Sequence, residues 1–170
     1  MIAQTWSPAP YRTRVDAQWI DYNGHMRDAF YSLVISLATD DLMDQLGMDA
    51  AYRAATSCTL YTLEMHLHFL RELKNAEPLT LRWRLMAVDS KRLHVGVEVY
   101  GPRYDDPAAS AEQMLLHVIQ SPDPKAQPFP AAIAEHLQRW KQAPQQSAAA
   151  SMAVPAPIPP GSRQILLGRR

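Results

Sequence analysis

At 170 residues, with 47% hydrophobic and 20% charged side chains, the chain is long enough for one domain with a buried core and too short for two comfortable ones. Lys plus Arg equals Asp plus Glu at 17 each, so no general basic field exists to hold nucleic acid or an anionic membrane, although a local basic cluster can still grip one phosphorylated ligand. The single cysteine, Cys58, excludes an intrachain disulfide, and no apolar run reaches signal-peptide or membrane-spanning length, so a soluble, cytoplasmic protein is expected.

Residues 1–10, with Pro8 and Pro10, read as an irregular lead-in, and a short strand is predicted from Tyr11 to Val15. A polar turn, Trp19-Ile20-Asp21-Tyr22-Asn23-Gly24-His25-Met26, follows. From Asp28 to Leu46, Phe30, Leu33, Val34, Leu37, Ala38 and Leu42 recur at helical steps and predict one long helix, stopped by Gly47.

The period then becomes two. In Tyr61–Phe69, Leu63, Met65, Leu67 and Phe69 alternate with Thr62, Glu64, His66 and His68. Leu79–Val88 sets Leu79, Leu81, Trp83 and Leu85 against Thr80, Arg82 and Arg84; Arg92–Tyr100 sets Leu93, Val95, Val97 and Val99 against His94, Glu98 and Tyr100. Ala111–Ile119 is a fourth strand, and Asp89-Ser90-Lys91 and Gly101–Pro107 are the turns. One helix followed by four antiparallel strands is an α+β order, not the βαβα alternation of a nucleotide-binding sheet. A short helix is predicted from Pro130 to about Lys141. The expected domain covers 1–143, and the Pro-, Ala- and Ser-rich stretch 144–170 is expected to be a mobile tail.

The informative segment is Asp21-x-Asn23-Gly24-His25-Met26, just before the long helix. An Asp, an Asn and a His within five residues suit hydrolysis. Asp21 is a candidate nucleophile or general base, His25 a proton carrier near neutral pH, and Asn23 a hydrogen-bond donor. Backbone N–H groups at Gly24 and Met26, near the positive end of the helix dipole, are candidates to stabilise the oxyanion of an attacked thioester. The competing reading is structural: Asp or Asn before a helix commonly serves as a cap, with Gly permitting the turn.

This motif, the downstream Ala29-Phe30-Tyr31, and the long helix before a four-stranded run together resemble the hotdog-fold thioesterases, over roughly Tyr11 to Val118. Both the 4-hydroxybenzoyl-CoA thioesterase type and the acyl-carrier-protein thioesterases are similar. The resemblance implies an antiparallel sheet wrapped round a central helix, a dimer or dimer of dimers with sites between protomers, and an acyl-CoA substrate without cofactor. Asp21 takes the family's catalytic carboxylate, and Asn23 and His25 take its companions. Arg27-Asp28 departs from the usual Asn-Asn, so the polar network beyond His25 is expected to differ. Leu60–Leu67, Asp89–His94 and Glu112–His117 are similar to the betainyl-CoA thioesterase group, which implies release of glycine betaine and coenzyme A in carnitine breakdown.

A trimethylammonium group has no N–H and is best held over aromatic faces or beside a carboxylate. Trp19, Tyr22, Tyr31 and Tyr61 are candidate faces, each equally suited to filling a core, and Glu64 is the candidate carboxylate. Lys91 and Arg92 at a hairpin turn, and more weakly Arg71, are candidates for coenzyme A phosphates. His66 and His68 lack further ligands at metal-site spacing, so no metal is expected. Cys58 lacks a Cys-His signature and reads as a packed residue. Two other readings compete: hydratase or dehydratase chemistry on the same fold, and a non-catalytic acyl-CoA-binding dimer.

Overall fold

A computed structural model describes residues 5–144; the tail expected from 144 onward lies, from 145, outside the described residues. Strand β1 (Tyr11–Arg14) leads through a single 3-10 turn (Ala17–Trp19) to α1 (Asp28–Gln45) and α2 (Ala50–Thr56). Four long strands follow, β2 (Cys58–Phe69), β3 (Pro78–Val88), β4 (Arg92–Tyr100) and β5 (Ala109–Ile119), then the two-residue β6 (Lys125–Ala126) and α3 (Ala131–Gln142). The sheet is antiparallel throughout, in the order β1-β3-β4-β5-β2, with β6 beside β5.

The alternation in β3 and β4 holds for most positions; Trp83 is only half-buried, and the register slips between Leu85 and Ala87. Leu79, Leu81, Leu93, Val95, Val97 and Val99 are buried, because their face packs on α1. Polar Gln113 of β5 also points inward, where Thr39 of α1 donates its hydroxyl to the Gln113 amide oxygen at 3.2 Å. Its neighbours Glu112 and Met114 therefore face away from the helix, and so do their cross-strand partners His66 and Glu64. The core has two centres. One surrounds the start of α1, with Met26, Tyr31, Val34, Val97 and Val99; the other surrounds its end, with Leu42, Leu46, Leu93, Leu115 and, from α3, Leu137 and Trp140.

Two patterns differ from expectation. The buried side of α1 is Tyr31, Val34, Ile35, Ala38, Thr39, Leu42 and Met43, whereas Leu33 and Leu37 of the expected stripe are exposed. The helix carries apolar residues on more of its circumference than one sheet covers. In β2 the register slips between Thr62 and Glu64, and that bulge turns Leu63 out of the alternation to 52% exposure. Helix α2 was not predicted. Seven residues carry too little periodicity, although Asp49 caps it by accepting the Tyr52 N–H at 2.8 Å.

Candidate active site

The turn before α1 folds on itself. Ile20 and Met26 form an isolated antiparallel bridge, Asp21 N–H donates to His25 C=O at 2.9 Å, and Gly24 N–H donates to Asp21 C=O at 3.0 Å. Gly24 sits at φ +81°, in the left-handed region that a side chain disfavours. The carboxylate of Asp21 lies inside this turn. Its Oδ1 accepts the N–H groups of Asn23 at 2.8 Å and His25 at 3.3 Å, and Oδ2 accepts Asn23 Nδ2 at 3.3 Å. Lost hydration acts to raise its pKa, but the backbone donors of His25 and Asn23, then the Asn23 amide and the nearby His25 ring, outweigh it and hold the carboxyl below its ordinary value.

The capping alternative meets a clear geometry. The N-cap of α1 is Arg27, which makes no side-chain capping bond, so Asp21 organises the preceding turn and not the helix. Asp21, Asn23 and His25 do come together. The expected oxyanion donors do not serve: Gly24 N–H is spent on Asp21 C=O, and Met26 N–H donates to Leu73 C=O at 2.8 Å. The closing of the turn and its docking on the β2–β3 loop consume both amides. At the first turn of α1, Arg27 N–H goes to Trp19 C=O and Ala29 N–H to Asp28 Oδ1, while Asp28 N–H has no partner among the described residues.

Of the aromatic candidates, Trp19 stacks on Phe30 with ring centroids 5.6 Å apart and remains half-buried, and Tyr22 stands 93% exposed at the tip of the turn. Tyr31 is buried, edge-on to Phe69 at 5.2 Å, with its hydroxyl donating to Arg71 C=O at 3.3 Å, so its ring belongs to the core and offers no face to a cation. Burial raises the Tyr31 pKa, which keeps the phenol neutral.

Tyr61, Lys91 and Arg92 lie elsewhere in the chain. The end of β2 nearest the Asp21–Met26 turn pairs at Phe69↔Ala109, whereas Tyr61 and Arg92 both pair with Leu116. That displacement along β5 is about 23 Å at the ~3.3 Å rise of a strand. Arg92 is also largely neutralised: Asp89 accepts its Nε at 2.7 Å and its N–H at 2.7 Å, with Nη2 2.6 Å away. The Lys91 N–H, followed by the Arg92 guanidinium and N–H, brings the Asp89 pKa from 3.8 down to about 2. Glu64 points away from α1 at mid-strand. Arg71 is paired with Asp106 at 3.1 Å and lies over the Tyr104 ring.

One site residue escaped the sequence reading. Glu72, in the loop after β2, places Oε2 3.3 Å from His25 Nε2. No spacing in the sequence joins it to the motif; the contact exists because Leu73 accepts the Met26 amide.

An antiparallel sheet curled along one long helix, with an Asp-Asn-His turn at that helix's start, defines the hotdog fold of thioesterases. The thioesterase-like superfamily model matches residues 15–140, and the chain belongs to that family; its chemistry is thioester hydrolysis. It is 43% identical over 133 residues to the betainyl-CoA thioesterase of Pseudomonas aeruginosa, covering 78% of this chain and 83% of that protein. It is 40% identical over 108 residues to the L-carnitine dehydrogenase/betainyl-CoA thioesterase of Agrobacterium fabrum, of whose length it spans 22%. Among solved structures, a Staphylococcus aureus protein in complex with CoA superposes with a TM-score of 0.72 at 25% identity, over 86% of this chain and 94% of that one.

Proposed function

We propose that residues 1–143 form a cytoplasmic homodimeric thioesterase domain that hydrolyses betainyl-CoA to glycine betaine and coenzyme A. The observation that carries the reaction is the Asp21 carboxylate, ordered by Asn23 and adjacent to His25 at the start of α1. A carboxylate held below its ordinary pKa is a weak proton acceptor. It therefore holds the water that attacks the acyl carbon, or attacks that carbon itself to form an anhydride that water then hydrolyses; in either course the C–S bond breaks, and the water proton taken by His25 passes to the coenzyme A sulfur, which leaves as the thiol. The Asp28 N–H, in place of Gly24 and Met26, is the donor for the oxyanion. The betainyl acyl group is supported by the relatives in Pseudomonas aeruginosa and Agrobacterium fabrum. The exposed Tyr22 and the half-buried Trp19 beside Asp21 supply faces for its trimethylammonium.

A second copy completes the site. β2 is a twelve-residue strand at the sheet edge, with Leu63 and Phe69 exposed along it, and Leu33 and Leu37 of α1 are uncovered. Antiparallel pairing of two β2 edges brings the partner's Tyr61 and Lys91 end toward this chain's catalytic turn. That arrangement brings Tyr61 and Lys91 within reach of the coenzyme A ester.

The test is release of free thiol from a panel of acyl-CoAs, with betainyl-CoA beside neutral short-chain and aromatic esters. Betainyl-CoA is expected to be the best substrate, and Asp21→Asn to lose at least about 100-fold in kcat while keeping its fold. Preference for a neutral ester removes the betaine assignment. Thiol release by Asp21→Asn at the wild-type rate removes Asp21 from the reaction.

A further inference from the structure

The loop from Leu70 to Glu77 is fixed against the catalytic turn by its backbone. Met26 N–H donates to Leu73 C=O at 2.8 Å, Val15 N–H to Glu77 C=O at 2.9 Å, and Ala76 N–H to Val15 C=O at 3.1 Å. Within it, the Glu72 side chain lies between the His25 ring and the Arg103 guanidinium. Its Oε2 is 3.3 Å from His25 Nε2, and its Oε1 is 3.8 Å from Arg103 Nη1. Arg103 is anchored in turn: its Nε donates to Glu77 Oε1 at 2.5 Å and its Nη2 to Glu72 C=O at 2.5 Å. The Glu72 carboxylate is thus held from behind by a guanidinium that is itself immobilised. The His25 backbone is held by both its N–H and its C=O on Asp21. Its ring makes one polar contact, through Nε2, and its Nδ1 has no partner among the described residues.

We infer that Glu72 is a positioning residue for hydrolysis: its carboxylate, 3.3 Å from His25 Nε2, favours the hydrogen on that nitrogen and so selects the ring tautomer that leaves the Nδ1 lone pair for the reacting water. This rests on the thioesterase reading above. A neutral imidazole carries one proton, and a carboxylate has only acceptors to offer, so the nitrogen facing Glu72 is the one that keeps the hydrogen. When the attacking water passes a proton to Nδ1, its oxygen bonds to the acyl carbon as the carbonyl π pair moves onto the acyl oxygen, and that proton goes on to the coenzyme A sulfur when the C–S bond breaks. The resulting imidazolium then lies beside a carboxylate that is already in place. Arg103, anchored on Glu77 and on the Glu72 carbonyl, sets a fixed positive charge 3.8 Å from the other carboxylate oxygen of Glu72.

Glu72→Gln preserves shape and removes the charge. We expect kcat for the best acyl-CoA to fall about 10- to 100-fold, with KM within about twofold, by analogy with the loss of outer partners of working histidines. In a His25→Ala background the same substitution is expected to cost nothing further, since its effect passes through the imidazole. Nitrogen-15 chemical shifts of His25 at high pH are expected to report the Nε2–H tautomer in the wild type and a shift toward Nδ1–H in Glu72→Gln. A wild-type Nδ1–H tautomer overturns the inference, and so do undiminished kcat in Glu72→Gln or an additive loss in the double variant. The wild-type tautomer is read without any substitution, so an unstable variant does not shield the inference. If the wild type hydrolyses no acyl-CoA at all, the thioesterase reading falls first and this role falls with it.

Discussion

The Asp21 carboxylate accepts two backbone N–H groups from its own turn, and the proposed chemistry would use the same oxygens. Replacing Asp21 by Ala removes both; Asn keeps one acceptor oxygen in the turn, which makes it the cleaner probe of chemistry. Asp89 plays the purely structural version of this part at the β3–β4 hairpin, where it accepts the Lys91 and Arg92 amides and the Arg92 guanidinium. Its pKa falls to about 2 in the folded chain against 3.8 for the free side chain. A depressed folded pKa means the unfolded state takes up the proton first on acidification. The stabilisation is therefore complete above about pH 4 and drains away as pH drops toward 2. Asp89→Asn is expected to lower the melting temperature at neutral pH, with the gap from wild type closing over that acid window. A gap independent of pH would show that the ionised carboxylate is not its source.

At the scale of elements, a buried polar tie joins the segments beyond the sheet to it, beside the apolar packing of α3. Buried His117 of β5 has Nδ1 2.9 Å from Gln127 C=O and Nε2 2.8 Å from the Tyr52 hydroxyl. The carbonyl accepts only, so Nδ1 carries the hydrogen and Nε2 accepts from Tyr52. One imidazole thereby joins α2, β5 and the segment leading to α3. Tyr52→Phe leaves Nε2 buried without a donor and is expected to cost about 1–3 kcal/mol in urea unfolding. A change within error would mean that water replaces the hydroxyl. The α1 helix shows the opposite economy: its burial against the sheet takes only one side, and Leu33 and Leu37 remain for something else to cover.

For the whole molecule, the uncovered side of α1 and the open edge of β2 have one explanation in the proposed dimer, which also reunites the two ends of the sheet that carry candidate ligands. Charge at that edge opposes self-pairing. Leu63→Lys combined with Leu37→Lys is expected to convert a wild-type dimer to monomer by sedimentation velocity and to abolish most thiol release, although neither residue touches the catalytic turn. A wild-type chain that sediments as a monomer while turning over acyl-CoA would refute the dimeric site.

Period and motif chemistry, both local properties, were readable in the chain itself. The apolar rows of β3 and β4 became the core face, the long helix begins at Asp28 as expected, and Asp21, Asn23 and His25 meet because they share one turn. What needed the tertiary structure was every relation between distant segments. A strand's alternation is the same whichever neighbour it takes, so the pairing of β2 with β5 was not written in it. Amides at a helix start look free until the loop that accepts them is in place, which is why Leu73 displaced Met26 from the oxyanion role. Glu72 reached His25 by that same docking, and Tyr31, an aromatic beside a motif, went to the core because Phe69 and the Arg71 carbonyl met it there.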